Sequence, residues 1–239
     1  LIFLIVGTLI LLFSGDMLVR AAVDISIRMT ISPMIVGLTV IAFGTSAPEL
    51  LVGVQATWNG YTGLALGNII GSNVANILLI LGMPAIVMAV KSNDIGLIRN
   101  YYFMMLTTIL FIGVLVFGEI NFWQGSFFIL LLILFIIQAI FHNKSSTQSL
   151  SPSELDQDRS ELKIFILMIF LVAGFVGLPL GAHIVIASAT SFAATIGVSD
   201  EVIGLTVVAI GTSLPELATS VAAAYRREVN LLLGNVIGS

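Results

Sequence analysis

Two glutamates stand where a carboxylate is expensive. Glu49 and Glu216 each sit within an otherwise apolar stretch, in GTSAPE at 44–49 and GTSLPE at 211–216. An ionisable group at the centre of a bilayer costs about 2.5–3.5 kcal/mol on insertion scales. Two converging carboxylates also repel unless a cation or proton lies between them. With neutral oxygens around them they make a hard site suited to Ca²⁺, which takes carboxylates and carbonyls at about 2.3–2.6 Å. The neighbouring residues supply such oxygens. Ser46 and Thr45 lie three and four residues before Glu49, on its helix face, and Ser213 and Thr212 stand likewise before Glu216. Pro48 has no N–H and disturbs the carbonyl of Gly44, as Pro215 does that of Gly211, freeing backbone oxygens around Gly44–Thr45 and Gly211–Thr212. Any one of these features has an ordinary reading: a packed protonated Glu, a proline kink, a hydroxyl bonded back to its own helix. Two copies in the same order favour an ion site. Ser72 and Asn76, four apart, share a further face. Asn68 and Asn235 read as structural hydrogen bonders at a helix start. Gly63, Gly67 and Gly71, repeated in part by Gly234 and Gly238, read as a close-packing stripe.

The copies are parts of one internal repeat. Residues 37–72 and 204–239 align at an offset of 167 without a gap, with 20 identities in 36 positions. Chance similarity between apolar helices would match Leu, Val and Ala, not GTS-PEL and GN-IGS.

Composition says what must position these residues. Of 239 residues, 58% are hydrophobic and only 9% charged, against about 25% charged in a soluble domain. The chain therefore reads as an all-α polytopic membrane protein. A soluble enzyme or a nucleic-acid binder is excluded. The absence of Cys removes disulfides and thiolate chemistry. Runs of roughly 20 apolar residues predict seven full spans, near 1–19, 33–57, 63–90, 101–118, 122–141, 163–190 and 202–225. Half of an eighth follows at 229–239, rising only about 16 Å. The chain thus reads as partial. Residues 1–141 form a first half carrying the repeat 37–76, and 163–239 an incomplete second half carrying 204–239. Between them lies a polar, acidic loop at 142–162. All nine Lys and Arg fall on one side of this topology. That puts the 142–162 loop in the cytoplasm and the N-terminus outside, in a plasma or inner membrane. Asp16, Asp24 and Arg28 read as interfacial, and His183 as packing in the sixth span. The copies begin in spans two and seven, five spans apart, and this odd offset inverts them in the membrane, as in secondary transporters with a midplane site.

GTSAPE at 44–49, GNIIGSNVAN at 67–76, GTSLPE at 211–216 and GNVIGS at 234–239 resemble the two α-repeats of the sodium/calcium exchangers, within the cation/calcium antiporter superfamily. The resemblance implies ten membrane helices. Helices two, three, seven and eight would form the ion-binding core, and long, tilted helices one and six would slide across it. It implies that Glu49 and Glu216 are central Ca²⁺ ligands shared with Na⁺. The carbonyls of Thr45, Thr212, Ala42 and Ala209 would line the sites. Ser46, Ser213, Ser72 and Ser239 would offer hydroxyls to Na⁺, with Asn76 at the centre. The repeat partner of Asn76 would be position 243, beyond this chain, as would the end of helix eight and helices nine and ten.

The function expected is an antiporter that exchanges Na⁺ for Ca²⁺ by alternating access and extrudes Ca²⁺. A Ca²⁺/H⁺ exchanger of the same superfamily is the alternative, and a passive cation channel a more distant one. The hydroxyls beside each Glu favour Na⁺, because protons need no extra oxygen ligands. No enzyme activity and no cofactor are expected. The partners are the transported Ca²⁺ and Na⁺ and the lipid bilayer, with no nucleic acid. The sequence leaves oligomeric state open.

Overall fold

The computed structural model describes residues 2–91, 96–118, 120–146, 163–197 and 209–239. Among them the chain is helical, without a strand. Helix α1 spans Ile2–Met29. A bent pair follows: α2, Pro33–Thr45, and α3, Ala47–Trp58, meet at 46°. Then come α4 (Thr62–Val87), α5 (Gly96–Phe117), α6 (Phe122–Ser146) and α7 (Ile164–Thr195). The second repeat supplies α8 (Ala209–Thr212), α9 (Leu214–Tyr225) and α10 (Val229–Gly238).

Five of these helices are long and apolar enough to cross a membrane, and the bent α2–α3 pair counts as a sixth; α10 is apolar but shorter. The sequence predicts seven full spans, and the start of the last of these, 202–208, lies outside the described residues, as does the acidic stretch 147–162. Four boundaries differ from expectation by five or more residues; α5 starts at Gly96 rather than 101, and α7 runs to Thr195 rather than 190. The first helix continues to Met29 rather than ending near residue 19. Arg20, Asp24 and Arg28 therefore sit on α1, where i,i+4 pairing of Asp24 with Arg28 and of Asp16 with Arg20 offsets their charge. Helix α6 likewise runs to Ser146, into the stretch expected to be loop from 142.

Small residues set how the helices meet. Apolar side chains gain little from one another in lipid, so close backbone approach does the packing. Helices α1 and α7 cross at Gly7 and Gly181: a Cβ on either would lie 3.0–3.1 Å from the other's carbonyl oxygen. Helix α10 lies against α2, where a Cβ on Gly37 would overlap the Leu231 carbonyl and one on Gly234 the Met34 carbonyl. The Gly234/Gly238 half of the expected stripe is thus a packing seam. Its first-repeat counterpart differs: no described atom lies within 4 Å of a Cβ built on Gly63, Gly67 or Gly71. Beneath α1 and α7, the core joins Leu18, Val19 and Ala22 to Ala222, Ala223 and Leu231.

Two short segments are wound as π-helix, Gly37–Ile41 and Asn76–Leu81. Each accommodates more residues per turn than an α-helix and so rotates the following side chains to a new face, a distortion frequent at functional sites.

Candidate functional site: a cation site between two broken helices

Both GTS motifs break their helix at the serine. Ser46 has φ −83°, ψ 4° and Ser213 φ −87°, ψ 4°. The proline two residues on is therefore in the first turn of a new helix, where its missing N–H costs nothing. Glu49 and Glu216 follow in the first turns of α3 and α9, where the helix dipole favours a negative charge. Helices α2 and α8 end at these breaks, at Thr45 and Thr212, and a helix C-terminus favours a cation. The repeat extends to the far ends of α3 and α9. Gly60 and Arg227, 167 apart, both have positive φ, 80° and 59°. Tyr61 and Glu228, which follow them, match within a few degrees, at φ −86°, ψ 62° and φ −86°, ψ 65°.

The two breaks meet. The Ser46 hydroxyl donates to Glu216 Oε1 at 2.8 Å, tying the first repeat to the second. Glu216 is 1% exposed and Glu49 is half-buried. The Glu216 carboxylate lies close enough to act electrostatically on that of Glu49. Oε2 of both glutamates, Ser213 Oγ and Asn76 Oδ1 are buried without a hydrogen-bond partner. Four orphaned oxygens on the two repeats are costly unless something positive completes them. Among the described residues no third carboxylate, His or Cys gathers with the two glutamates.

The remaining candidates have more ordinary settings. Thr45 is fully buried, and its hydroxyl reaches Ala42 O at 3.3 Å and Asn235 Oδ1 at 3.4 Å. The Ala42 carbonyl also accepts the Ser46 N–H at 2.9 Å. Thr212 is buried at the end of α8, and Ala209 begins that helix. Ser72 donates to Ile69 O at 3.1 Å, and Ser239 to Asn235 Oδ1 at 3.4 Å. A hydroxyl that donates backwards keeps its lone pairs for a cation. A cavity of about 780 Å³ joins Ser46, Glu49, Ser72 and Ser239 and runs along α3 past Gly53 to Thr57 and Trp58.

Asn68 and Asn235 are not helix-start caps. Each reaches across from the helix interior to the backbone carbonyl of its own repeat's glutamate: Asn68 Nδ2 to Glu49 O at 3.2 Å, Asn235 Nδ2 to Glu216 O at 3.4 Å. Asn235 also donates to Thr219 Oγ1 and Ser220 Oγ, at 3.1 and 3.0 Å. The readable signal is the spacing, since each Asn stands 19 residues after its Glu. The glycines of the motifs seat α7. A methyl on Gly44 would overlap the Phe175 ring, and one on Gly211 the Ile186 side chain.

The family model described as sodium/calcium exchanger protein matches residues 1–141 and 166–239. The chain belongs to the sodium/calcium exchanger family. Relatives of this family include the sodium/calcium exchanger MaX1 of Methanosarcina acetivorans, 31% identical over 99% of this chain and 77% of that protein. Another is the inner membrane protein YrbG of Escherichia coli K12, 34% identical over 99% of this chain and 74% of that one. The solved structure of the sodium-calcium exchanger NCX_Mj, soaked with Na⁺ and Sr²⁺, superposes with a TM-score of 0.84 at 30% identity, covering 99% of this chain and 76% of that one. The chain thus shares the fold of a membrane cation/calcium antiporter.

Proposed function

We propose that this chain exchanges Na⁺ for Ca²⁺ by alternating access across the plasma or inner membrane and extrudes Ca²⁺. The cross-repeat contact carries the reading. Ser46 of one broken helix holds Glu216 of the other, and each glutamate keeps a buried oxygen free. Glu49 and Glu216 share Ca²⁺, and the carbonyls of Thr45, Thr212, Ala42 and Ala209 complete its shell. The hydroxyls of Ser46, Ser213, Ser72 and Ser239 serve Na⁺, and Asn76 turns its free Oδ1 toward the centre. The repeats lie inverted in the membrane, as their start in the second and seventh spans requires, so the α3 end of the site faces outward and the α9 end faces the cytoplasm. The packing supports an outward-facing conformer: α1 and α7 both pack on α9, whereas α3 carries no such cover from α7.

The decisive experiment is ⁴⁵Ca²⁺ uptake into vesicles of the full chain under an imposed Na⁺ gradient or an imposed pH gradient. Uptake driven by Na⁺ at constant pH is the expected result. Uptake driven only by the pH gradient would replace this reading with Ca²⁺/H⁺ exchange, and uptake needing neither gradient would indicate a channel.

A further inference from the structure

Among the described residues, an ion pair that joins two distant elements lies outside the cation site. Asp16 Oδ1, on α1, accepts from Arg226 Nε at 2.6 Å and lies 2.5 Å from Arg226 Nη2; its other oxygen is 3.0 Å from Arg20 Nε. Arg226 directly follows the last turn of α9, so the pair ties α1 to the end of the helix whose first turn holds Glu216. Around it α1 covers α9 closely. A Cβ on Gly15 would sit 3.0 Å from the Ala218 backbone, and Leu18, Val19 and Ala22 pack on Ala222 and Ala223.

The repeat shows what the opposite end lacks. Adding 167 to Asp16 gives His183 on α7, and subtracting 167 from Arg226 gives Asn59 after α3. Both are exposed. Leu51, the twin of Ala218, is 69% exposed, and the cavity from Glu49 opens along this helix. One end of the site is clamped by an ion pair, and its twin has no such pair to make.

We propose that Asp16 and Arg226 form a latch that holds the α1–α9 end of the site shut and biases the protein toward the conformer open along α3. The proposal rests on the alternating-access reading: exposing the site from the other side requires α1 to leave α9 and the pair to part. The pair is about one-quarter to one-third exposed, at 27% and 31%. It therefore sets a bias rather than a block, and losing it shifts the conformer ratio by roughly two- to fivefold.

The chain contains no Cys, so a single Ala222→Cys, beneath α1, reports on that end. A charged, membrane-impermeant thiol reagent is applied from the Arg226 side of vesicles holding the full chain. Modification should be slow in the reporter alone and two- to fivefold faster with Asp16→Asn or with Arg226→Gln. It should return to the slow rate in Asp16→Arg with Arg226→Asp. An unchanged rate in the neutral variants, or an acceleration that the exchanged pair leaves in place, would overturn the latch. Each neutral variant reads the pair alone, so one that fails to assemble does not remove the test. Flux under Na⁺ and pH gradients in the same vesicles tests the coupling ion separately, so either idea can fail without the other.

Discussion

Replacing Glu216 with Gln removes one charge and almost no volume. The amide oxygen can keep the hydrogen bond from Ser46, now at 2.8 Å, and the NH₂ takes the place of Oε2, which has no partner. The fold should therefore survive, with less repulsion toward Glu49. The cation loses much more. A divalent ion and a carboxylate oxygen about 2.4 Å apart attract by about 3.5 kcal/mol even at the dielectric constant of water. That is roughly 300-fold in affinity, and burial of Glu216 to 1% exposure places the real loss above this floor. Glu49→Gln should act in the same direction but less strongly, because Glu49 is half-buried and better screened. The assay is thermal unfolding in detergent with increasing Ca²⁺, beside ⁴⁵Ca²⁺ exchange in vesicles. A ligand that binds only the folded state raises its stability by RT ln(1 + [L]/Kd), so the wild-type midpoint climbs with Ca²⁺ while that of Glu216→Gln stays flat. A Glu216→Gln protein still stabilised by Ca²⁺ at wild-type concentrations would refute the assignment.

Ser46→Ala and Ser213→Ala should weaken apparent Na⁺ affinity several-fold more than Ca²⁺ affinity, because a hydroxyl is a larger share of a Na⁺ shell; equal losses for both ions in a flux titration would make the hydroxyls structural. Asn235→Ala should cost about 2–4 kcal/mol, from lost hydrogen bonds and a buried void, whereas Asn68→Ala should cost about 1 kcal/mol, having one bond to lose. Unfolding midpoints that rank the two equally would contradict this.

The sequence made the candidate residues readable because a repeat writes them twice. Glu49 and Glu216, a proline-disturbed backbone just before each and the small-residue face of α10 all follow from matched spacings. The cross-repeat bond from Ser46 to Glu216 does not, since no spacing within one helix encodes which element faces it. The two π-helical segments are equally silent, for Gly37–Ile41 and Asn76–Leu81 carry no local signature that separates them from α-helix. Charge patterning put Asp16 at an interface but gave no sign of its distant partner, Arg226. Gly67 and Gly71 show the converse: small residues at the right spacing announce a seam only if a neighbour arrives.

The seating of α7 bears on turnover. Phe175 and Ile186 fill the notches left by Gly44 and Gly211, and eleven residues of helix hold these two side chains about 16 Å apart. A continuous helix engaged at two points, even with Pro179 between them, cannot creep without unseating a side chain. Both side chains must lift from their notches together before either finds a new seat, so intermediate positions of the rod are high in energy. Exchange should then proceed as discrete jumps with a large activation enthalpy, giving a steep temperature dependence that ion affinity, set at the carboxylates, would not share.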